Sequence, residues 1–221
     1  MIRIEGIGKV YKHKTILQDI TVQFMPGCIY GLIGENGSGK TTLMRCICGF
    51  TQPTSGKVYV DGKQIGKDAD FAPSTGIIIE TPGFLPQYSG VKNLLLLAQM
   101  SGKVTKQGCR DAMSRLGLDP DDKKPVGQYS LGMRQRLGIA QALMENPDNL
   151  LLDEPFNGLD QSGIEDMHGL LKMLKKENKT IVLASHSAQD IERACDEVYI
   201  IQNSQLIKRE GKNAQLHDSA C

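Results

Sequence analysis

A glycine-rich segment that ends in a lysine and two threonines is the part of the sequence best suited to chemistry. It reads Gly34-Glu35-Asn36-Gly37-Ser38-Gly39-Lys40-Thr41-Thr42 and fits the pattern GxxxxGK[ST] in full. The glycines allow backbone N–H groups to turn toward phosphate oxygens, and the helix that follows adds its dipole. We expect this segment to bind the phosphates of a nucleotide. Lys40 would reach the β- and γ-phosphates, and the Thr41 hydroxyl would ligate Mg²⁺.

Two adjacent acids follow an apolar run later in the chain. Leu150, Leu151 and Leu152 precede Asp153 and Glu154. A carboxylate just past a buried strand lies where open α/β sheets bind ligands. Asp153 is therefore expected to hold Mg²⁺ through its water shell, and Glu154 to polarise the attacking water.

Alternating strand and helix patterns position these residues. Strands are predicted over 3–11, 16–24, 28–33, 57–60, 76–80, 149–153, 180–185, 197–202 and 205–209, and helices over 40–48, 161–177 and 187–195. Apolar strands that alternate with helices favour an α/β protein with a mostly parallel sheet. The short strands of the first 60 residues predict an antiparallel β region at the N-terminus.

The middle of the chain has a different, helical composition. Helices are predicted over 91–101, 106–116 and 131–145, with Ser130 as the N-cap of the last of them. We interpret residues 85–145 as a helical lobe inserted into a P-loop NTPase core. That core comprises residues 1–84 and 146–221.

The order of these motifs resembles that of ABC transporter ATP-binding subunits over about residues 2–210. The resemblance makes residues 1–221 a single ABC ATPase domain. The matching segments are Tyr11 for the adenine-stacking aromatic, 34–41 for Walker A, 149–154 for Walker B, 129–133 for the signature, 157–160 for the D-loop and His186 for the switch histidine.

The resemblance implies a mechanism that needs two subunits. ATP would lie between Walker A of one subunit and the signature of a second, most simply an identical, subunit, where Ser130 and Gly132 would contact the γ-phosphate. His186 would contact the γ-phosphate from the same subunit as Walker A, so that catalysis rests on Lys40, Glu154 and His186. Membrane-spanning permease subunits are implied as further partners. The chain would then lie at the cytoplasmic face of the cell membrane as a peripheral subunit.

Two departures from the family pattern indicate a subfamily. Glu80 stands where the family has glutamine, and Leu131 and Met133 alter the signature to Ser-Leu-Gly-Met. These features resemble the bacitracin-resistance and lantibiotic-immunity exporters. We expect Glu80 to face the Mg²⁺ site from the side opposite Asp153, although a solvated acid at a strand end remains an alternative.

Composition restricts the competing functions. Lys and Arg number 26 against 25 Asp and Glu, giving a net charge of +1 and no global reason to expect nucleic acid. A soluble ABC-type ATPase acting on ribosomes or DNA is the main alternative, but such proteins generally carry two nucleotide-binding domains or basic extensions. A P-loop kinase or GTPase would explain neither the segment at Ser130 nor His186. The cargo and the direction of transport are left open by these residues.

Overall fold

A computed structural model describes residues 1–80 and 83–209. The strands are β1 (Ile2–Tyr11), β2 (Lys14–Phe24), β3 (Ile29–Ile33), β4 (Ser55–Val60), β5 (Lys63–Gln64), β6 (Thr75–Ile78), β7 (Asn149–Asp153), β8 (Thr180–Ser185), β9 (Glu197–Gln202) and β10 (Gln205–Lys208). The helices are α1 (Lys40–Cys48), α2 (Gly90–Ser101), α3 (Lys106–Arg115), α4 (Leu131–Leu143), α5 (Gln161–Lys176) and α6 (Ala188–Ala194).

The strands form two sheets. One is antiparallel in the order β2-β1-β4-β5, and the other has the order β10-β9-β3-β8-β7-β6. In the second sheet only the β10–β9 pair is antiparallel. This architecture confirms the predicted α/β class, the mostly parallel sheet and the antiparallel N-terminal region.

Hydrophobic side chains cover both faces of the larger sheet. On one face Leu151 and Val182 pack with α1 and the antiparallel sheet. On the other face Leu150 and Leu152 pack with the helices between β6 and β7 and with α5. Successive side chains of a strand point to opposite faces, so a continuous apolar run such as β7 serves both cores. The carboxyl ends of β3 and β7 lie at the same edge of this sheet, with β8 between them.

Helices α2, α3 and α4 lie together between β6 and β7, as the helical composition predicts. They share one continuous hydrophobic core with the sheet, reached through residues such as Leu94, Leu137 and Leu152. The division into a core and an inserted lobe stays a prediction. Residues 210–221 of the predicted core lie outside the described residues.

Gly76 allows α4 to approach β6 closely. A Cβ atom at this position would lie 2.1 Å from the backbone oxygen of Ala142. We expect Gly76→Ala to lower the free energy of unfolding by about 2 kcal/mol, because backbone atoms on both sides must shift. Gly169→Ala is the matched control, since a Cβ there meets nothing within 4 Å. In the interior of α5 it should be stabilising, by about 0.5–1 kcal/mol.

Chemical denaturation of the two variants and the wild type measures both changes. Equal stabilities of the two variants would contradict the close approach at Gly76.

Candidate active site

The turn between β3 and α1 forms a loop that closes around the lysine side chain. The Lys40 ammonium group donates to the backbone oxygens of Gly34 at 2.5 Å and Glu35 at 3.2 Å. Gly37 and Gly39 have φ values of 80° and 113°, a region that L side chains rarely adopt. A Cβ at Gly39 would also lie 2.9 Å from Leu17. Backbone shape therefore favours glycine at both positions, and close packing requires it at Gly39 as well.

This loop presents unused hydrogen-bond donors suited to an anion. Within the described residues the Ser38 hydroxyl is buried without a partner. Helix α1 begins after Gly39 with no side-chain cap and no acid in its first turn. Unsatisfied N–H groups at a helix start, together with the helix dipole, favour phosphate. The loop therefore fits the phosphate group that the sequence predicts.

The Thr41 hydroxyl meets a strand-end carboxylate across the site. It donates to Asp153 Oδ2 at 2.6 Å, which joins α1 to β7. The described residues contain no group of three or more His, Cys, Asp or Glu side chains that could hold a metal ion by themselves. Mg²⁺ in nucleotide sites is bound by one or two protein oxygens and by substrate phosphates. A hydroxyl beside one buried carboxylate fits that donor set.

Without a bound cation, the surroundings of Asp153 disfavour the ionised form of its carboxyl. Burial raises the pKa of its carboxyl above the ordinary value, and the negative charges of Glu154 and Glu80 raise it further. The hydrogen bond from Thr41 and the charge of Lys40 act in the opposite direction but do not cancel the increase.

This raised pKa predicts a pH-dependent gain in stability for Asp153→Asn without nucleotide or Mg²⁺. Between the ordinary pKa and the raised one, the unfolded state loses its proton first, so wild-type stability falls as pH rises. Asparagine does not titrate and still accepts from Thr41. The variant should therefore be more stable than wild type at pH 7, by a margin that shrinks at pH 4. Thermal unfolding at both pH values measures this, and a margin independent of pH would contradict it.

Glu154 and His186 lie together at the ends of neighbouring strands. The Glu154 carboxylate accepts from the Ser185 hydroxyl at 2.9 Å and from the His186 backbone N–H at 2.9 Å. His186 Nδ1 lies 2.8 Å from the same carboxylate. The structure therefore joins two residues that are 32 positions apart in the chain. Their carboxylate and imidazole can together orient a water molecule beside the phosphate loop.

A cleft of about 900 Å³ is lined by Glu154 but not by His186, which reaches the site through its contact with the Glu154 carboxylate. Its walls include the phosphate loop, Tyr11, Asp153, Glu154 and Glu80. The Tyr11 ring is 46% exposed, and the Lys9 ammonium lies 4.7 Å from its centroid. An exposed aromatic face at the rim of a phosphate site is suited to stacking on a base.

The start of α4 also contributes to the walls of the cleft. Leu131, Arg134 and Gln135 line it, whereas Ser130 and Gly132 do not. Ser130 is the N-cap of α4 and accepts from the Met133 N–H at 3.2 Å. Ser130 and Gly132 are thus not brought to the phosphate loop of their own subunit.

Glu80 lines the cleft and pairs with an arginine that the sequence reasoning missed. Its carboxylate accepts from Arg45 at 2.6 Å, and its φ of 65° is unusual for a residue other than glycine. Arg45 is four residues after Thr41, so helical spacing places it one turn along the same face of α1. No local signal in the sequence indicates Glu80 as its partner.

A second residue missed by sequence reasoning is Gln135. Its side-chain amide donates to the backbone oxygen of Glu154 at 3.1 Å. It lies five residues after Ser130, within the first turns of α4. Gln135 is a polar residue at a half-buried helical position. That is the one local signal that could have indicated a functional role for it.

Comparison with known proteins decides the family. The family model described as ABC transporter matches residues 17–157. The chain belongs to the ABC transporter family. It is 43% identical, over 89% of its length and 90% of the relative's, to the uncharacterized ABC transporter ATP-binding protein YybJ of Bacillus subtilis (strain 168).

Two relatives have more informative names. The chain is 39% identical to the bacitracin transport ATP-binding protein BcrA of Enterococcus faecalis, over 98% of this chain and 71% of that one. It is 36% identical to the lantibiotic transport ATP-binding protein SrtF of Streptococcus pyogenes, over 94% of this chain and 89% of that one. These matches confirm the resemblance that the motifs indicate.

Solved structures agree on the fold. The dimeric post-hydrolysis state of the ATP-binding cassette MJ0796 bound to ADP and Pi superposes with a TM-score of 0.85 at 21% identity, covering 95% of this chain and 98% of that one. A structure described as the ATP-binding subunit of an ABC transporter gives 0.84 at 25% identity, covering 95% of this chain and 89% of that one. Its membership of the ABC transporter family, with ATP-binding relatives, makes this chain a nucleotide-binding subunit and an ATP hydrolase of the ABC type.

Proposed function

We propose that this ABC subunit binds ATP with Mg²⁺ and hydrolyses it to energise the export of antimicrobial peptides of the bacitracin or lantibiotic type. The observation that carries the proposal is the convergence of Lys40, Asp153, Glu154 and His186 at one edge of the parallel sheet. The names of BcrA and SrtF support this choice of cargo. The peptide itself would be recognised mainly by the membrane partner.

The phosphate loop holds the nucleotide in this proposal. Lys40 neutralises the β- and γ-phosphates after exchanging its two backbone carbonyl partners for phosphate oxygens. Ser38 and the first N–H groups of α1 donate to the same phosphates. Thr41 and Asp153 hold Mg²⁺, which supplies positive charge to the transferring phosphoryl group when bound. Tyr11 stacks on the adenine, while Glu35, Asn36 and Thr42 complete the lining around the phosphates.

Glu154 activates the attacking water. Its carboxylate accepts a hydrogen bond from that water and attracts the water proton, which raises the electron density on the oxygen as it approaches the γ-phosphorus and the bond from that phosphorus to the ADP oxygen breaks. Ser185 and the His186 backbone hold the carboxylate in place. The His186 ring lies beside the same carboxylate, where it contacts the γ-phosphate and steadies the water.

A second copy of the chain completes the site. Ser130 and Gly132 do not line the cleft of their own subunit, which supports a role toward the nucleotide of a partner subunit. In this arrangement the Ser130 hydroxyl and the N–H groups of the α4 start donate to the partner's γ-phosphate. Hydrolysis then requires the dimer.

The membrane-spanning part of the exporter is supplied by permease subunits. Within residues 1–80 and 83–209, no helix combines the length and apolar character needed to cross a bilayer. The subunit would act at the cytoplasmic face of the membrane, where ATP is available. The names of its relatives favour this function over action on ribosomes or DNA.

Glu80 links the site to the permease in this proposal. It lies beside the Mg²⁺ site and is also bonded to Arg45 at the cleft edge. The Glu80 and Asp153 carboxylates line the same cleft, which supports an interaction between them. Glutamine at position 80 should preserve nucleotide binding but alter the coupling between ATP turnover and transport.

The decisive experiment reconstitutes the subunit with its membrane-spanning permease. Inside-out vesicles should take up bacitracin or a lantibiotic when ATP and Mg²⁺ are added, and vesicles with Lys40→Ala should not. If the complex hydrolyses ATP but takes up neither peptide class, the proposed cargo is wrong. Absence of hydrolysis by the assembled complex would overturn the ATPase function itself.

A further inference from the structure

The peptide groups of Glu154 are held from two sides. On one side its N–H donates to the backbone oxygen of Ala184 in β8 at 2.8 Å. On the other side its carbonyl accepts from the Gln135 side chain of α4 at 3.1 Å. Glu154 has a φ of 50°, and such a conformation persists in a residue other than glycine only when its surroundings impose it. Gln135 is one of the groups that impose it.

A second contact joins α4 to the segment that follows Glu154. Gly158 has a φ of 74°, and a Cβ at this position would lie 2.4 Å from Cγ of Leu131. A Cβ at Gly132 would lie 2.7 Å from the backbone oxygen of Gly158. The first turn of α4 therefore packs directly on the backbone at Gly158. Leu131, the departure from the family signature, makes this contact with its side chain.

We propose that the start of α4 positions Glu154 of its own subunit, with Gln135 and Leu131 as the positioning residues. The inference rests on the proposed function, in which Ser130 receives the γ-phosphate of a partner's nucleotide. A shift of α4 on engaging that nucleotide is transmitted to the Glu154 backbone through the Gln135 hydrogen bond. It is transmitted to Gly158 through Leu131. Each subunit's water-activating carboxylate thus responds to the nucleotide bound by its partner.

The test is a double-mutant cycle between Gln135 and Glu154, measured as single-turnover ATP hydrolysis by the purified chain. Gln135→Ala should lower the hydrolysis rate about tenfold, the effect of roughly one lost hydrogen bond, with KM for ATP unchanged. In the Glu154→Gln background the same change should have no further effect, because the carboxylate that it positions is absent. Gln141→Ala is the matched control, an amide on the same helix that should leave the rate unchanged.

The cycle separates positioning from a general structural role. An equal loss in both backgrounds, or a rise in KM alone, would overturn the inference. If Gln135→Ala does not fold, Gln135→Met has nearly the same size without the donor and without an added charge, and provides the same comparison. The proposed function fails by a different result: wild-type protein that hydrolyses no faster than Lys40→Ala.

The Leu131 contact has its own cycle. Gly158→Ala should slow hydrolysis because its Cβ collides with Leu131, and Leu131→Gly should restore part of the rate by removing the colliding atoms. The remaining loss in the double variant measures the strain of alanine at a positive φ. If the effect of the double variant on the rate equals the product of the two single effects, the residues act independently. That result would overturn the role of Leu131.

Discussion

Lys40→Ala should reduce ATP hydrolysis by at least about 100-fold, one of the two largest effects expected from a single substitution in this chain. The Lys40 ammonium group is buried and held by the Gly34 and Glu35 carbonyls at the centre of the phosphate loop. Phosphoryl transfer depends on positioning and on stabilisation of charge on the transferred group. Lys14 also lines the cleft, but Lys40 is the lysine that begins α1 at the end of the loop.

The loss should affect binding as well as turnover. Nucleotide affinity, measured by titration calorimetry with ATP and Mg²⁺, should fall because the cation also stabilises the ground-state phosphates. Lys172→Ala removes a solvent-exposed lysine from α5 and is the matched control. It should retain full affinity and turnover. Near-wild-type hydrolysis by Lys40→Ala would contradict the assignment of the phosphate loop.

Glu154→Gln should slow hydrolysis severely, to a low but measurable rate, while preserving ATP binding. Glutamine has nearly the same shape but lacks the anionic charge that polarises the attacking water. Asp153, Thr41 and the phosphate loop are left intact, so nucleotide affinity should be close to that of wild type. A loss of about 100-fold or more in turnover is expected for the removal of such a group.

The same substitution should make the dimer observable. ATP that is bound but not hydrolysed keeps the closed state populated, and binding to the dimer alone shifts the equilibrium toward it. Light scattering should detect a doubling of mass when ATP is added to Glu154→Gln at high protein concentration. Glu145→Gln is the control, because it changes only a surface carboxylate whose ion pair contributes little. No increase in mass for Glu154→Gln at any concentration would contradict a site shared by two copies.

Local patterns were sufficient for most of the elements, although not for β5, and for the chemistry of the phosphate loop. The predicted helix over 40–48 and strands over 149–153 and 180–185 have the bounds found in the structure. Each is specified by neighbours in the sequence: an apolar run for a buried strand, or a glycine-rich turn that opens a helix. The predicted helix over 131–145 ends earlier in the structure, at Leu143. Hydrophobic periodicity does not specify the last turn of a helix, where the boundary commonly varies by one or two residues.

The partners of the site residues were decided by tertiary structure. The sequence alone assigned Asp153 and Thr41 to one metal site, and the fold places them 2.6 Å apart. It did not indicate that Glu80 pairs with Arg45 or that Gln135 bonds to Glu154. These contacts join elements that are distant in the chain, and sequence spacing carries no information about which side chains face one another after packing. The motif residues can therefore be recognised from the sequence. The contacts that hold and connect them form only when β3, β7, β8 and α4 pack together.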